Sequence, residues 1–170
     1  MSQYNEQVVS YIPHLRRYAR ALMGNNVLAA DDLVQDCLER ALSRIHLWRK
    51  GSDLRAWLFT IMHNLYANNM RKMANAPQFV ELDVEKNTSV DHLGAENEIE
   101  IRDIHQAINR LSPEQREVLL LVTLEGLRYQ QVASILGVPE GTVMSKLSRA
   151  RKNLRTIMKL EPPERMRRVK

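Results

Sequence analysis

Apolar residues recur at helical spacing along almost the whole chain, with one interruption. Up to Lys72 they recur every three or four residues, which is typical of amphipathic helices. The same spacing resumes before Leu111 and continues towards a basic C-terminal tail. The strict alternation of β-strands is absent from the sequence. The pattern therefore predicts an all-α fold made of two small helical domains.

The interruption between the two helical parts is acidic. From about Met73 to Ile101 the periodicity is lost, and the segment contains many Asp and Glu residues but a single lysine, Lys86. Such a composition is typical of a flexible linker. We divide the chain into residues 1–72, an acidic linker at 73–97 and residues 98–170. Because the linker offers few apolar residues to either part, we expect each part to fold around its own core.

Composition narrows the function classes. The net charge of +5 over 170 residues is compatible with a polyanionic partner. Cys37 is the only cysteine and the five histidines are scattered, so neither a disulfide framework, a metal site nor a cofactor is expected. The sequence has no apolar run long enough to insert into a membrane, and its start lacks the features of a signal peptide. We therefore expect a cytoplasmic protein.

The stretch from Ser112 onwards has the spacing of a helix-turn-helix. Ser112 before Pro113 predicts a capped helix start. Gly126 is expected to end that helix, and "YQQVASIL" to form the next one. Gly137 permits the positive φ of a tight turn before the last helix, in which Val143 is expected to be buried.

The last helix has an apolar face and a basic face. At 100° per residue, Val143, Leu147 and Ala150 share the apolar face. Such a helix suits the major groove, with basic flanks against phosphates. A solvated amphipathic helix is the alternative interpretation. The candidate DNA-binding residues are Thr142, Ser145, Lys146, Ser148, Arg149, Arg151 and Lys152.

Four motifs together resemble regions 2 and 4 of the bacterial extracytoplasmic-function (ECF, group 4) sigma factors of the sigma-70 family. They are "DDLVQD", "LRAWLFTI.HN", "LSPEQREVLLL" and "GVPEGTV.SKLSRAR", in the order and at the separations of that family. The resemblance implies region 2 at 1–72, which docks on core polymerase and recognises and melts the minus-10 element. It implies region 4 at 98–170, which reads the minus-35 element.

The helix around Asp31 to Leu42 carries an acidic face opposite an apolar one. The resemblance implies that this face docks on the polymerase beta-prime subunit, although a merely solvated face is the alternative. The docking residues would be Asp32, Gln35, Asp36 and Glu39.

The loop "HLWRKGSD" and the helix after it combine aromatic and cationic residues. Phe59, His63 and Tyr66 are predicted nearer the open face of that helix, where aromatic and cationic side chains can hold unpaired bases. The alternative is that Phe59 and Tyr66 pack under the loop, and Trp48 could either cap the core or stack on DNA. The resemblance implies minus-10 contacts here, with one base turned out into a pocket. The candidates are Trp48, Arg49, Lys50, Arg55, Phe59, His63 and Asn64.

The resemblance implies a promoter-specificity subunit with no catalytic residues of its own, acting in response to stress or to an envelope or environmental signal. Its partners would be the beta-prime and beta subunits of core RNA polymerase, promoter DNA and an anti-sigma factor. One departure from the family is Arg128, which stands where Ser or Thr usually caps the helix, so we expect that cap to be weaker or supplied differently. A stand-alone helix-turn-helix repressor or activator stays the alternative. A small recombinase would need a nucleophile with a matching base, which Ser145 and Ser148 lack in this sequence.

Overall fold

The computed structural model describes residues 2–24, 26–77 and 95–158. Within these ranges the regular structure is helical, which confirms the predicted all-α class. The central part of the acidic linker and the basic C-terminal tail lie outside the described residues.

The N-terminal bundle consists of three helices. It comprises α1 (Ser2–Leu22), α2 (Val27–Ser43) and α3 (Leu54–Asn75), with a short 3-10 turn at Ile45–Leu47. Asparagine and aspartate residues start the last two helices. The Asn26 side chain accepts a hydrogen bond from the backbone N–H of Ala29, and Asp53 accepts one from Ala56.

The described part of the C-terminal bundle consists of four helices. They are α4 (Ala95–Asn109), α5 (Pro113–Thr123), α6 (Tyr129–Leu136) and α7 (Glu140–Met158). The predicted cap at Ser112 is confirmed, because its hydroxyl accepts a hydrogen bond from the Gln115 N–H. Helices reach further into the acidic segment than we predicted: α3 continues to Asn75, and α4 begins at Ala95.

The two bundles pack against each other. Helix α5 lies on α1, and α6 lies on α3. Instead of the two separate cores that we expected, the buried apolar side chains form one core that runs through both bundles. The sequence pattern identifies which positions of each helix are apolar, but it does not indicate that a face of α3 is covered by a helix from the other bundle.

Two polar contacts join helix ends across this interface. The Arg116 guanidinium on α5 donates to the carbonyl of Leu22, the last residue of α1. The Gln131 side chain accepts the backbone N–H of Arg128 and donates to Asp53, the residue that caps α3. The Arg128 side chain supplies no cap hydrogen bond to α6, and Gln131 accepts only the N–H of Arg128 itself, so this cap is weaker than a Ser or Thr would give, one of the two outcomes that we expected.

Candidate functional surfaces

One face of α2 is polar and open to solvent. Its predicted docking residues are all exposed: Asp32, Gln35, Asp36 and Glu39. The opposite face, with Leu33, Val34 and Cys37, is buried. The face also holds Leu28, which is 73% exposed one helical turn before Asp32 and which the sequence reasoning missed. The arrangement offers carboxylates around an apolar side chain to a basic partner.

Cys37 belongs to the core, as the pattern of α2 indicates. Its thiol lies 3.5 Å from the Leu58 carbonyl oxygen. Burial raises the pKa of this thiol to about 12, an effect that the nearby Arg40 only partly offsets. The thiol is therefore neutral and unreactive at physiological pH.

The loop before α3 presents two cations. Arg49 and Lys50 are exposed, and the Ser52 hydroxyl donates to the Arg49 carbonyl at 2.7 Å to close a tight turn. Gly51 adopts a φ of 88°, which an L side chain rarely adopts. Trp48 meets the ring of Tyr4 edge to face at 5.3 Å between centroids.

A cavity of about 530 Å³ opens between this loop and the start of α1. Its walls include Tyr4, Tyr11, Trp48 and Lys50. The indole N–H of Trp48 is buried and has no hydrogen-bond partner among the described residues. Aromatic walls beside a cation suit an unstacked base. The sequence reasoning missed the contribution of α1, whose only signal is the pair of tyrosines at helical spacing.

The predicted open face of α3 is closed. Phe59 is 1% exposed and packs edge to face on Tyr18 of α1, while Tyr66 is also buried. His63 is largely covered, with Nδ1 2.5 Å from the Glu117 carboxylate of α5. The prediction of accessible aromatic and histidine side chains here is therefore wrong for this conformation, because Phe59 packs on Tyr18 of its own bundle and Glu117 of the C-terminal bundle covers His63. Of the predicted minus-10 residues on this helix, Asn64 stays exposed.

Arg55 is also held in an ion pair, with Glu125 of the C-terminal bundle. Its Nη2 lies 2.9 Å from Oε2 of Glu125 and 2.5 Å from the Glu125 carbonyl oxygen. Arg17 binds the other carboxylate oxygen at 3.1 Å, and His14 Nδ1 lies 3.3 Å from Oε2. The Glu125 side chain is 0% exposed. We call this set, Glu125 with Arg17, Arg55 and His14, the Glu125 cluster.

On its inner side the cluster adjoins the apolar core at Tyr18. Burial raises the pKa of the Tyr18 hydroxyl well above its ordinary value, and the Glu117 and Glu125 carboxylates raise it further. Tyr18 is therefore neutral. The sequence reasoning missed both glutamates, whose only signal is a carboxylate inside or directly after the apolar run of α5.

The helix-turn-helix forms as predicted. Gly137 adopts φ 66° and ends α6, while Val143, Leu147 and Ala150 of α7 are buried. The candidate DNA residues Ser145, Ser148, Arg149, Arg151 and Lys152 are exposed on α7, and Thr142 is half-buried. Lys146 is also half-buried and forms an ion pair with Glu114 of α5 at 3.1 Å. Because Glu114 is exposed, this pair is weak and leaves Lys146 able to turn to a phosphate.

Comparisons with known proteins agree with this geometry. Residues 8–63 match the family model "Sigma2 domain of PhyR", and residues 101–154 match "Sigma-70, region 4". The ECF RNA polymerase sigma factor EcfG of Rhodopseudomonas palustris is 35% identical over 94% of this chain and 87% of its own. The chain belongs to the ECF RNA polymerase sigma factors. It is an alternative sigma factor that directs promoter-specific transcription initiation.

Solved structures give the same result for this sigma factor. The sigma factor RpoE of Bartonella quintana, solved in complex with the anti-sigma factor NepR, is 31% identical with a TM-score of 0.77. The similarity covers 95% of this chain and all of RpoE. The PhyRSL–NepR complex from Sphingomonas sp. Fr1 matches at 23% identity and a TM-score of 0.63, which shows the same fold. Within the described ranges, no helix is both long and apolar enough to span a bilayer.

Proposed function

We propose that this sigma factor docks on core polymerase through the acidic face of α2 and reads promoter DNA through the loop at 48–50, α3 and α7. The observation that carries this proposal is the exposure of two opposite charge patterns: carboxylates on α2 and cations on α7. Each of the two helices also has a buried apolar face, which fixes the direction in which its charged face points. Helices that were merely solvated would have no reason to carry an acidic face on α2 and a basic face on α7 at the positions of the two family motifs.

Docking follows from the composition of the α2 face. Asp32, Asp36 and Glu39 place three negative charges within two helical turns, and Leu28 supplies an apolar anchor beside them. Charged residues of this kind steer the encounter with a basic surface, and a central apolar side chain adds contact area. The beta-prime subunit of core polymerase is the partner that the family assigns to this face.

Reading of the minus-35 element follows from α7. Its 19 residues span about 28 Å. Ser145 and Arg149 occupy successive turns of its exposed face, where they can meet base edges. Arg151 and Lys152 lie nearer its C-terminal part, where they suit phosphates. Capture of the minus-10 strand rests on Arg49, Lys50 and the aromatic cavity beside them.

A compact chain cannot hold both promoter elements at once. About 25 base pairs separate the minus-10 and minus-35 elements, which corresponds to about 85 Å of duplex. A compact protein of 170 residues has a diameter of about 40 Å. The two bundles therefore separate when the sigma factor engages a whole promoter. Separation would also free His63 from Glu117, so its minus-10 role belongs to the open form, whereas Phe59 would stay packed on Tyr18 of its own bundle.

Three further roles complete the proposal. The similarity to RpoE in its complex with NepR supports an anti-sigma factor as a partner of this chain. The sigma factor acts in the cytoplasm, where core polymerase transcribes. The chain contributes no catalytic chemistry, and the polymerase forms the phosphodiester bonds.

Association with core polymerase tests the docking assignment. Reversing charge on the α2 face with the double variant Asp32→Lys and Gln35→Lys should abolish co-purification with core polymerase and leave the helical circular dichroism unchanged. Asp103→Lys, an exposed acid on α4, is the matched control and should bind normally. Equal binding by all three proteins would refute the assignment. A stand-alone repressor would bind duplex DNA without associating with polymerase at all.

A further inference from the structure

The interface between the two bundles has a polarised charge distribution. The N-terminal bundle contributes cations, namely Arg17 and Arg55, together with His14 and His63. The C-terminal bundle contributes the carboxylates of Glu117 and Glu125. Both glutamates are buried, whereas nearly every other acid in the described ranges is exposed. The charged contacts thus hold one bundle against the other rather than stabilising either alone.

Both carboxylate oxygens of Glu125 accept hydrogen bonds across this interface. Oε1 receives Nε and Nη2 of Arg17 at 3.3 and 3.1 Å, and Oε2 receives Arg55. Arg17 also donates to the Leu124 carbonyl at 3.2 Å, and Arg55 donates to the Glu125 carbonyl. The two guanidinium groups therefore bind both the side chain of Glu125 and the backbone of the turn that follows α5.

Such a buried cluster can exist in a closed form, with the two bundles packed together, and in an open form, with the bundles apart. Closing the interface removes water from the Glu125 carboxylate, a cost that offsets much of its attraction to the arginines. Separation of the bundles returns all the charges to water, so neither state leaves an unpaired buried charge. Of the three charged side chains, Glu125 is the one that is fully buried in the closed form: it is 0% exposed, against 50% for Arg17 and 26% for Arg55.

Arg55 belongs both to the Glu125 cluster and to the candidate minus-10 residues. A guanidinium binds a carboxylate and a phosphate with the same forked geometry. Within the closed form, Nη2 of Arg55 is already bound to Glu125 and Nε is buried, so neither nitrogen is available to a promoter phosphate. The acidic face of α2 stays open in the same conformation.

We propose that Glu125 is an internal competitor of the promoter strand, an autoinhibitory carboxylate that holds Arg17 and Arg55 and keeps the two bundles closed. Polymerase docks on the closed form through α2, and opening releases Arg55 to the minus-10 strand. The competition at Arg55 rests on the proposed function, whereas the closing contact rests on the Glu125 cluster alone.

Glu125→Gln in the full chain tests the closing contact. The amide keeps the shape of the side chain and removes the charge that the arginines bind. Small-angle X-ray scattering should give a radius of gyration of about 16 Å for the closed wild type and a larger value for the variant. Glu114→Gln loses the same charge from an exposed pair inside the C-terminal bundle, so it should stay closed. Arg17→Gln, outside the proposed DNA surface, should open the chain by the same route.

Binding of fluorescein-labelled 12-nucleotide poly(dT) at low salt tests the competition. Glu125→Gln should bind this strand on the order of tenfold more tightly than wild type, because a closed population lowers the apparent affinity. Asp103→Asn, which removes the charge of an exposed acid on α4, should match wild type and so controls for the lost charge. Adding Arg55→Gln to Glu125→Gln should remove the gain.

The outcomes separate the two claims. An unchanged radius of gyration in both Glu125→Gln and Arg17→Gln overturns the closing contact. An opened chain that binds the strand only as well as wild type overturns the competition. If no variant binds poly(dT) measurably, the minus-10 assignment of the proposed function fails, and the competition fails with it. Circular dichroism identifies misfolding of one variant, and the other then decides.

Discussion

Arg116 joins the end of α1 to the connection between α4 and α5, and its loss should destabilise the fold. Its guanidinium donates four hydrogen bonds, to the carbonyls of Leu22, Ile108, Asn109 and Leu111, at 2.7 to 3.2 Å. Leu22 ends α1 and Asn109 ends α4, so one cation satisfies carbonyls at two helix C-termini. Alanine at this position would leave those carbonyls without their donor.

The expected cost follows from these bonds. A hydrogen bond to a charged group contributes about 1.5 to 3 kcal/mol. Four bonds do not add fully here, because Asn109 is exposed and water can replace the donor at its carbonyl. We expect Arg116→Ala to lower the free energy of unfolding by about 3 kcal/mol. Arg116→Lys should recover less than half of this loss, since an ammonium cannot reach four carbonyls with a planar fork.

Urea unfolding followed by circular dichroism measures this cost. With a slope of about 2 kcal/mol per molar urea, the midpoint of Arg116→Ala should fall by about 1.5 M. Arg110→Ala is the matched control, because Arg110 is an exposed arginine at the same end of α4, and its loss should change stability by about 0.5 kcal/mol or less. If both variants unfold at the same urea concentration, Arg116 does not join the helix ends as described.

Two further predictions concern other parts of the chain. Arg149→Ala should reduce the binding free energy by about 1 to 3 kcal/mol on a minus-35 duplex selected from a random pool, and by less on a scrambled duplex. Arg151→Ala should weaken binding to both duplexes alike and lower the magnitude of the slope of log affinity against log salt concentration by about one. Binding isotherms at several salt concentrations measure both effects, and an equal loss of affinity on the two duplexes by both variants would contradict the prediction. Cys37 should resist a maleimide reagent at pH 7 in the folded protein and react in urea, because burial raises the pKa of its thiol to about 12. Mass spectrometry measures the labelling, and fast labelling of the native protein would show that the thiol is accessible.

The helix-turn-helix could be predicted from the sequence because its determinants are local. Ser112 caps α5, Gly137 takes the positive φ of the turn, and Val143 is buried at its expected position in α7. Each of these features depends on residues within one or two helical turns. The apolar and acidic faces of α2 were predictable for the same reason.

The closed face of α3 could not be predicted in this way. Helical spacing places Phe59 on a second face of α3, but only the packing of distant helices decides whether that face is open. The partners of Glu125 are 108 and 70 residues away in the chain, at Arg17 and Arg55. Periodicity within a short window contains no information on such pairs, and a glutamate next to Gly126 has the appearance of an ordinary surface charge.

Transcription by purified core polymerase on fragmented host DNA tests the central claim most directly. The 5′ ends of the transcripts are sequenced with and without the sigma factor. If the chain directs initiation through α3 and α7, the 5′ ends should cluster at discrete positions, each downstream of a shared pair of sequence elements. The double variant of Asp32 and Gln35 should abolish these clusters. Start sites as scattered as those of core polymerase alone would contradict the account.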